Sequence, residues 1–250
     1  MSSHTVGVFP APGGIGGSTV KHLLPRLPPQ NLVFIARNPA KLADASAAGA
    51  TVRKADYDDE ASLEHAFDGI NILFLISYAS VENEYRVERH HKAINLALRS
   101  GVTHIFYGSL GFAGPETSTS SVAHVMKPHL TTEQYLAECI KTNPRLSYTV
   151  IREGLYSESF LLYTAFFDPL HPVSEINIPH DGAGPGIAWV KREELGEGTA
   201  ELLKRFVGDP TGFKFLNRMV LLSGSRILSL RETMEILGRV AGGLRLRLGG

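Results

Sequence analysis

The chain has 250 residues, 43% of them apolar, which is enough for one large domain or for one domain with a small lobe. Twenty-five basic residues balance twenty-five acidic ones, so no electrostatic footprint for nucleic acid or an anionic membrane is present. The single cysteine, Cys139, excludes an intrachain disulfide and a cysteine-rich zinc site.

In chain order, strand candidates fall at "TVGVF" (5–9), "LVFIA" (32–36), "ATVRKA" (50–55), "NILFLIS" (71–77), "HIFYGS" (104–109) and "SYTVIRE" (147–153). They are short and rich in Val, Ile and Phe, as strands of a parallel sheet covered on both faces are. Helix-length segments lie between them at 16–24, 39–47, 59–67, 83–99 and 128–142. This alternation predicts an α/β fold, a Rossmann-type doubly wound parallel sheet over 1–153. Asn38-Pro39 reads as an N-cap followed by Pro at the first helical position. Past residue 153 the rhythm loosens. A loop-rich, proline-containing stretch (171–186) is followed by a helix at 192–206, a strand at 217–222 and a helix at 229–241. Ser229 and Glu232 open that last helix as a capping box. Residues 154–250 are therefore expected to form a small, less regular substrate lobe interleaved with the core, with 242–250 as a frayed or cut end. The opening "MSSHTVGVF" lacks the features of a secretory signal. The longest apolar runs fall far short of the ~20 residues of a membrane span. A cytoplasmic protein is expected.

The stretch "VGVFPAPGGIGGS" joins the first strand to the first helix through a glycine cluster. Gly13, Gly14, Ile15 and Gly16 sit where a dinucleotide pyrophosphate meets a helix N-terminus, with free N–H groups and a favourable dipole. The alternative is a purely structural turn. Pro10 stands where the usual first glycine would be; it forbids positive φ and removes one N–H. After the second strand, where NAD sites place an acid, the chain has Arg37 and then Lys41, a cation pair suited to a 2′-phosphate. NADP(H) is favoured on this reading; two ordinary surface cations are the alternative. Asp56 and Tyr57, after the third strand, are placed to hydrogen-bond and pack against adenine, and Asp58 or Asp59 to cap the next helix.

The co-ordered motifs "GGIGGS", "ARNPAKL", "GATVRKADYDDEASLEHAFDGINILFLIS", "SGVTHIFYGS", "HLTTEQYLAE" and "YTVIREGLYSESF" resemble the NmrA-like group of atypical short-chain dehydrogenases, its fungal members above all. The resemblance covers roughly residues 5 to 240. It implies a Rossmann sheet with a small C-terminal lobe, usually binding NADP(H), in a family of quinone and dye reductases, isoflavone-reductase relatives and non-catalytic regulators. It also implies cofactor contacts at Gly13, Gly16, Arg37, Lys41, Asp56, Tyr57, Ser77 and Tyr78. Ser109 would lie near the nicotinamide, and Tyr156 and Ser159 would border nicotinamide and substrate. The chain departs from the family at Pro10, and at Glu158-Ser159 where Glu-Asn is usual. Its relatives continue further at the C-terminal end.

None of the eight tyrosines has Lys four residues on, so the Tyr–Lys proton machine of ordinary short-chain dehydrogenases is absent. At the place of the lone catalytic Lys of isoflavone-reductase relatives stands His129, with Lys127 two residues earlier. His129 is the general-acid candidate, since its ordinary pKa is near neutrality; a helix-start His bonded to backbone is the alternative, as a loop cation is for Lys127. His90 and His91 are read as surface residues. No histidine falls in metal-ligand spacing, so no metal is expected. Phe112, Tyr156, Phe160 and neighbouring aromatics line an apolar pocket or belong to the core. Three functions stand: a reductase of a small apolar carbonyl or quinone-like molecule, an NADP(H)-sensing regulator docking a protein partner, and a redox-neutral isomerase or cyclase.

Overall fold

The computed structural model describes residues 4–115, 117–173, 175–177, 182, 184–242 and 247–249. The chain divides into two compact units, one of residues up to Glu153 together with Glu193–Leu222, the other of Gly154–Arg192 with residues from Ser223 on. The helix and strand expected at 192–206 and 217–222 thus build the first unit, while the segments either side of them build the second.

The first unit begins with strand β1 (Val6–Phe9), helix α1 (Gly14–Leu23), strand β2 (Leu32–Ala36), helix α2 (Ala43–Ala47) and strand β3 (Thr51–Lys54). It continues through helix α3 (Glu60–Leu63), strand β4 (Ile72–Ile76), helix α4 (Asn83–Arg99), strand β5 (His104–Leu110), helix α5 (Lys127–Thr142) and strand β6 (Ser147–Glu153). In the second unit, helix α6 (Phe160–Tyr163) and strand β7 (Glu175–Asn177) come before helix α7 (Arg192–Gly208) and strand β8 (Arg218–Leu222) return to the first; helix α8 (Leu230–Val240) and strand β9 (Arg247–Gly249) follow. The seven strands of the first unit pair in the order β3-β2-β1-β4-β5-β6-β8, every pair parallel. Strand order reverses between β1 and β4, which is where open α/β sheets bind ligands at the strands' carboxyl ends.

Central strands are buried on both faces, as their unbroken apolar runs require. β3 is the exception: "TVRK" is exposed or half-exposed because it is an edge strand, and its Arg and Lys discourage pairing with another chain. One face of the sheet is covered by α3, α4 and α5 through Leu63, Ala93, Ile94, Ala97 and Leu136. On the other, α7 lays Phe206 against Phe106 and stacks it on His104 at 3.8 Å. The expected helix at 59–67 is α only over Glu60–Leu63 and ends in tight turns before Gly69 at φ 73°. Over 39–47, Asn38 caps Ala40 N–H, and Pro39–Leu42 forms a 3-10 turn before α2.

In the second unit, Phe167, Ile176 and Met234 form a small core, and Ser229 with Glu232 closes the capping box that opens α8. The expectation of a frayed 242–250 is corrected in part. Arg247–Gly249 pairs in parallel with Glu175–Asn177, while 243–246 and 250 lie outside the described residues.

Gly16 shows how tightly α1 sits on β1. A Cβ there would lie 2.3 Å from the Pro10 carbonyl oxygen and 2.6 Å from that of Ala11, both backbone atoms that cannot rotate away. Gly16→Ala is expected to lower stability by about 1–3 kcal/mol, the range for overpacking. An unchanged urea midpoint would show that the turn can open.

Candidate cofactor site and its buried polar network

The glycine turn crosses from β1 to α1 with Gly13 at φ 79° and Gly14 at φ 39°, conformations that L side chains rarely adopt. A Cβ at either position would meet nothing within 4 Å, so space lies open before the helix. Gly13 caps α1 without a side-chain bond, and no acid stands in the helix's first turn. This free N–H cluster with no competing carboxylate fits a pyrophosphate. Ile15 and Gly16 are buried behind it. Pro10 enters the turn through a cis peptide, and Ala11 N–H donates to the Ile35 carbonyl at 2.8 Å, so the loop remains tied to the sheet.

At the carboxyl end of β2, the Arg37 side chain is 81% exposed, its Nε 3.9 Å from Asp56 Oδ2. Lys41 is also exposed, within the 3-10 turn. Both cations are thus free to turn to a 2′-phosphate. Tyr57 requires a correction. Its ring is buried at 4.4 Å from the Phe9 ring, and its hydroxyl donates to the Ile76 carbonyl at 2.8 Å. The side chain belongs to the core and ties β3 to β4; only its backbone can face an adenine. Tyr78 is similarly committed. Its hydroxyl donates to Asp58 at 2.7 Å, and Tyr85 donates to the other oxygen at 2.6 Å. Bonding to that carboxylate pushes the Tyr78 phenol up to about 12. Asp58 therefore clamps the loops after β3 and β4 together, and Asp59 is the residue that caps α3.

The largest departure from expectation concerns histidine. His129, in the first turn of α5, is buried. Its Nε2 lies 2.8 Å from Arg86 Nη2, and its Nδ1 lies 3.2 Å from the Tyr107 hydroxyl. A guanidinium can only donate, so Nε2 must accept and the ring is neutral. Burial, then the Arg86 charge, hold the imidazole well below its usual pKa. The general-acid role is corrected accordingly: at neutral pH His129 has no extra proton to give, and its two nitrogens are occupied. Lys127, at the head of α5, is exposed and makes no side-chain bond among the described residues.

His90 is not a surface residue but fully buried. Its Nε2 accepts from Tyr78 N–H at 2.9 Å, and its Nδ1 reaches Thr132 Oγ1 at 2.8 Å. Burial, with Arg86 and His91 nearby, lowers it to about 3. His91 stacks on Tyr135 at 3.8 Å. Ser77, just past β4, accepts from Arg86 Nη2 at 2.7 Å. One network thus runs Ser77–Arg86–His129–Tyr107, with His90 and Thr132 beside it. Its signal in the sequence is that Arg86 and His90 continue the buried stripe Ala93, Ile94 and Ala97 on α4, while His129 and Thr132 continue Leu136 on α5.

A second buried set lies at the ends of β5 and β6. Ser109 Oγ donates to Glu133 at 2.6 Å, and Arg152, 1% exposed, grips the same carboxylate through Nη2 at 2.6 Å and Nε at 3.2 Å. The Ser109 proton is therefore committed, and its lone pairs remain as acceptors. Of the expected substrate residues, Phe112 is exposed on a 3-10 turn of the first unit; Tyr156, Ser159 and Phe160 are half-buried in the second. There Arg192 lies over the Tyr156 ring at 5.9 Å, and its Nε pairs with the Glu158 carboxylate at 3.6 Å.

A family model described as NAD(P)H-binding matches residues 11–159. An NmrA-like family domain-containing oxidoreductase of Aspergillus flavus is 29% identical over 234 residues, 93% of this chain and 70% of its own length. Quinone oxidoreductase 2 of Escherichia coli is 38% identical over 156 residues, 62% of this chain; the chain spans 50% of that protein's length in the match. The solved structure of Citrobacter sp. triphenylmethane reductase complexed with NADP(H) superposes with a TM-score of 0.77 at 26% identity, covering 98% of this chain and 79% of that one. The matched region opens inside the glycine turn and runs beyond Arg152, through the ends of β2 to β6, and the chain belongs to the NmrA-like, NAD(P)H-binding family of atypical short-chain dehydrogenases.

Proposed function

We propose that the chain is an NADP(H)-dependent reductase of a small, flat, apolar acceptor of the quinone or conjugated-carbonyl kind. The observation that carries the cofactor half is the exposed Arg37 guanidinium at the end of β2, where an NAD site has an acid, in line with an open, acid-free helix N-terminus at Gly13–Gly14. The acceptor class rests on relatives named as quinone and triphenylmethane reductases and on the state of the titratable groups. With no Tyr–Lys pair and with His129 neutral and doubly bonded, the chain offers no proton donor of the usual kind. An acceptor whose reduced form is a stabilised oxyanion needs none, because water can protonate it afterwards.

The residues divide the work. NADPH supplies the hydride when bound. Backbone N–H groups of the glycine turn hold the pyrophosphate, Arg37 and Lys41 the 2′-phosphate, and Asp56 the adenine side. His90 fixes the Ser77–Tyr78 backbone through Tyr78 N–H. Ser109, oriented by Glu133 and Arg152, presents an acceptor oxygen at the end of β5. Phe112 remains the proposed acceptor contact of the first unit.

The same lack of a proton donor also favours the sensor reading, in which NADP(H) is bound without turnover. Two measurements separate them. NADPH should bind saturably and oxidise on adding 1,4-benzoquinone; binding without oxidation across a panel of quinones would favour the sensor, and no binding at millimolar cofactor would sink both. Arg37→Ala should weaken NADPH by about 1.5–3 kcal/mol, as for a lost charge-assisted contact, and leave NADH nearly unchanged. Wild-type preference for NADH would refute the cation-pair argument.

A further inference from the structure

Arg86 is 6% exposed, yet among the described residues no carboxylate pairs with it. Its Nη2 is shared by two neutral partners, Ser77 Oγ at 2.7 Å and His129 Nε2 at 2.8 Å. Its Nε is sealed from solvent with no partner; Nη1 makes no hydrogen bond among the described residues and is not sealed. The titratable groups facing it are His90 on its own helix, Tyr107 on β5 and His129 on α5, none of them an acid. A buried, always-charged guanidinium without a counter-ion is costly, and an anion brought to it would offset that cost.

Its position indicates which anion. Ile76 and Gly108 are register partners, so Ser77, just past β4, and Ser109, near the end of β5, lie at the same level of the sheet's carboxyl edge. Arg86 is pinned to that level by Ser77. The first turns of the two long helices α4 and α5 also start there and add positive potential. Because the guanidinium is a rigid planar fork, fixing Nη2 from two sides fixes Nη1 as well.

We propose that Arg86 holds the oxyanion that forms on the acceptor during reduction. This rests on the reductase reading above. The acceptor gains a hydride, its carbonyl π pair becomes a lone pair on oxygen, and the dihydronicotinamide is oxidised to nicotinamidium. Arg86 neutralises the new charge until water delivers the proton that completes the hydroxyl. His129 serves as the positioning residue, its neutral Nε2 orienting the guanidinium. A cation set in place beforehand is the arrangement that favours charge appearing only in the transition state.

The test uses the full chain saturated with NADP+, and 4-nitrophenol as the probe, whose phenolate is coloured. On the wild type, bound probe should ionise at lower pH than free probe, with phenolate bound at least ten times more tightly than the neutral phenol. Arg86→Met should abolish that preference, and Arg86→Lys should keep part of it. With 1,4-benzoquinone, Arg86→Met should lower kcat by roughly 10²–10³, as for loss of one oxyanion donor, with NADPH affinity unchanged. If the methionine variant fails to fold by circular dichroism, the wild-type titration and the lysine variant still decide. Equal binding of phenol and phenolate by the wild type overturns the proposal. So does a methionine variant that keeps the preference, or one that loses NADPH while keeping it, which would give Arg86 to the cofactor's phosphates. Absence of quinone turnover by the wild type counts against the reductase reading, whereas phenolate preference reports on Arg86 itself, so the two failures are separable.

Discussion

Glu133→Ala is expected to destabilise the protein by about 3–5 kcal/mol, the range for stripping one partner from a buried ion pair. The loss comes less from the pair's attraction than from what stays behind. Arg152 is 1% exposed and receives Glu133 in a two-pronged contact at 2.6 and 3.2 Å. Its remaining bonds, to the Gly114 and Pro115 carbonyls at 3.2 and 3.1 Å, carry no charge to offset the guanidinium. Ser109 loses its acceptor at the same time. A cavity of about 160 Å³, lined by Glu133 with Gln134, Tyr148 and Arg218, opens beside the carboxylate and can admit water to the stranded cation. That places the effect at the lower end of the range. At about 2–4 °C per kcal/mol for a chain of this size, the melting temperature should fall by roughly 6–12 °C. Glu133→Gln, which keeps an acceptor oxygen, should cost less. Glu133→Leu combined with Arg152→Met should recover most of the loss, because two apolar groups leave no buried charge. A Glu133→Ala melting curve that overlays the wild type would mean that the pair is already hydrated.

Acid should unfold this chain early. His90 and His104 are buried and neutral, each lowered to about 3 chiefly by desolvation, and His129 is lowered in the same direction. His104 shows why: it stacks on Phe206, and its nitrogens are taken by Ser147 at 2.7 Å and Thr149 at 3.2 Å. In the unfolded chain a histidine takes up a proton near pH 6.5. Between that value and the folded pKa, the unfolded state binds more protons than the folded one, so stability rises with pH across this window and falls as pH drops through it. At pH 5 the linkage for His90 and His104 is about 2 kcal/mol each. Their sum, with His129 adding to it, is a large fraction of the ~5–15 kcal/mol total of an ordinary domain. Urea midpoints at pH 7, 6 and 5 should fall progressively, and His104→Asn should remove about one proton from the slope. A midpoint that does not change between pH 7 and 5 would contradict the burial of these rings. The same shifts imply that no limb of a pH–rate profile near neutrality belongs to His129.

The sheet and the glycine turn after its first strand could be read in advance, because both depend on local patterning. Both-face apolar runs such as "ILFLI" can only be central strands, and glycines at 13 and 14 allow the positive φ that the turn adopts. The Ser229–Glu232 box is a contact between near neighbours, and the cation at Arg37 depends only on its distance from the first strand. Relations between distant segments were beyond that reading. Arg86 and His129 are 43 residues apart, and Glu133 and Arg152 are 19 apart on different elements. No local rule tells whether a histidine near a helix start faces water or a guanidinium. His90, Tyr57 and Tyr78 were misplaced for the same reason: a side chain's protonation and partners follow from what folds against it. The sequence determined the order of strands and helices, the parallel sheet and the glycine turn before the first helix, since those follow from periodicity and backbone sterics. Tertiary packing alone decided which polar groups are buried together, and burial sets their charge. That is why the expected acid, His129, became an acceptor, facing an arginine that the sequence did not single out.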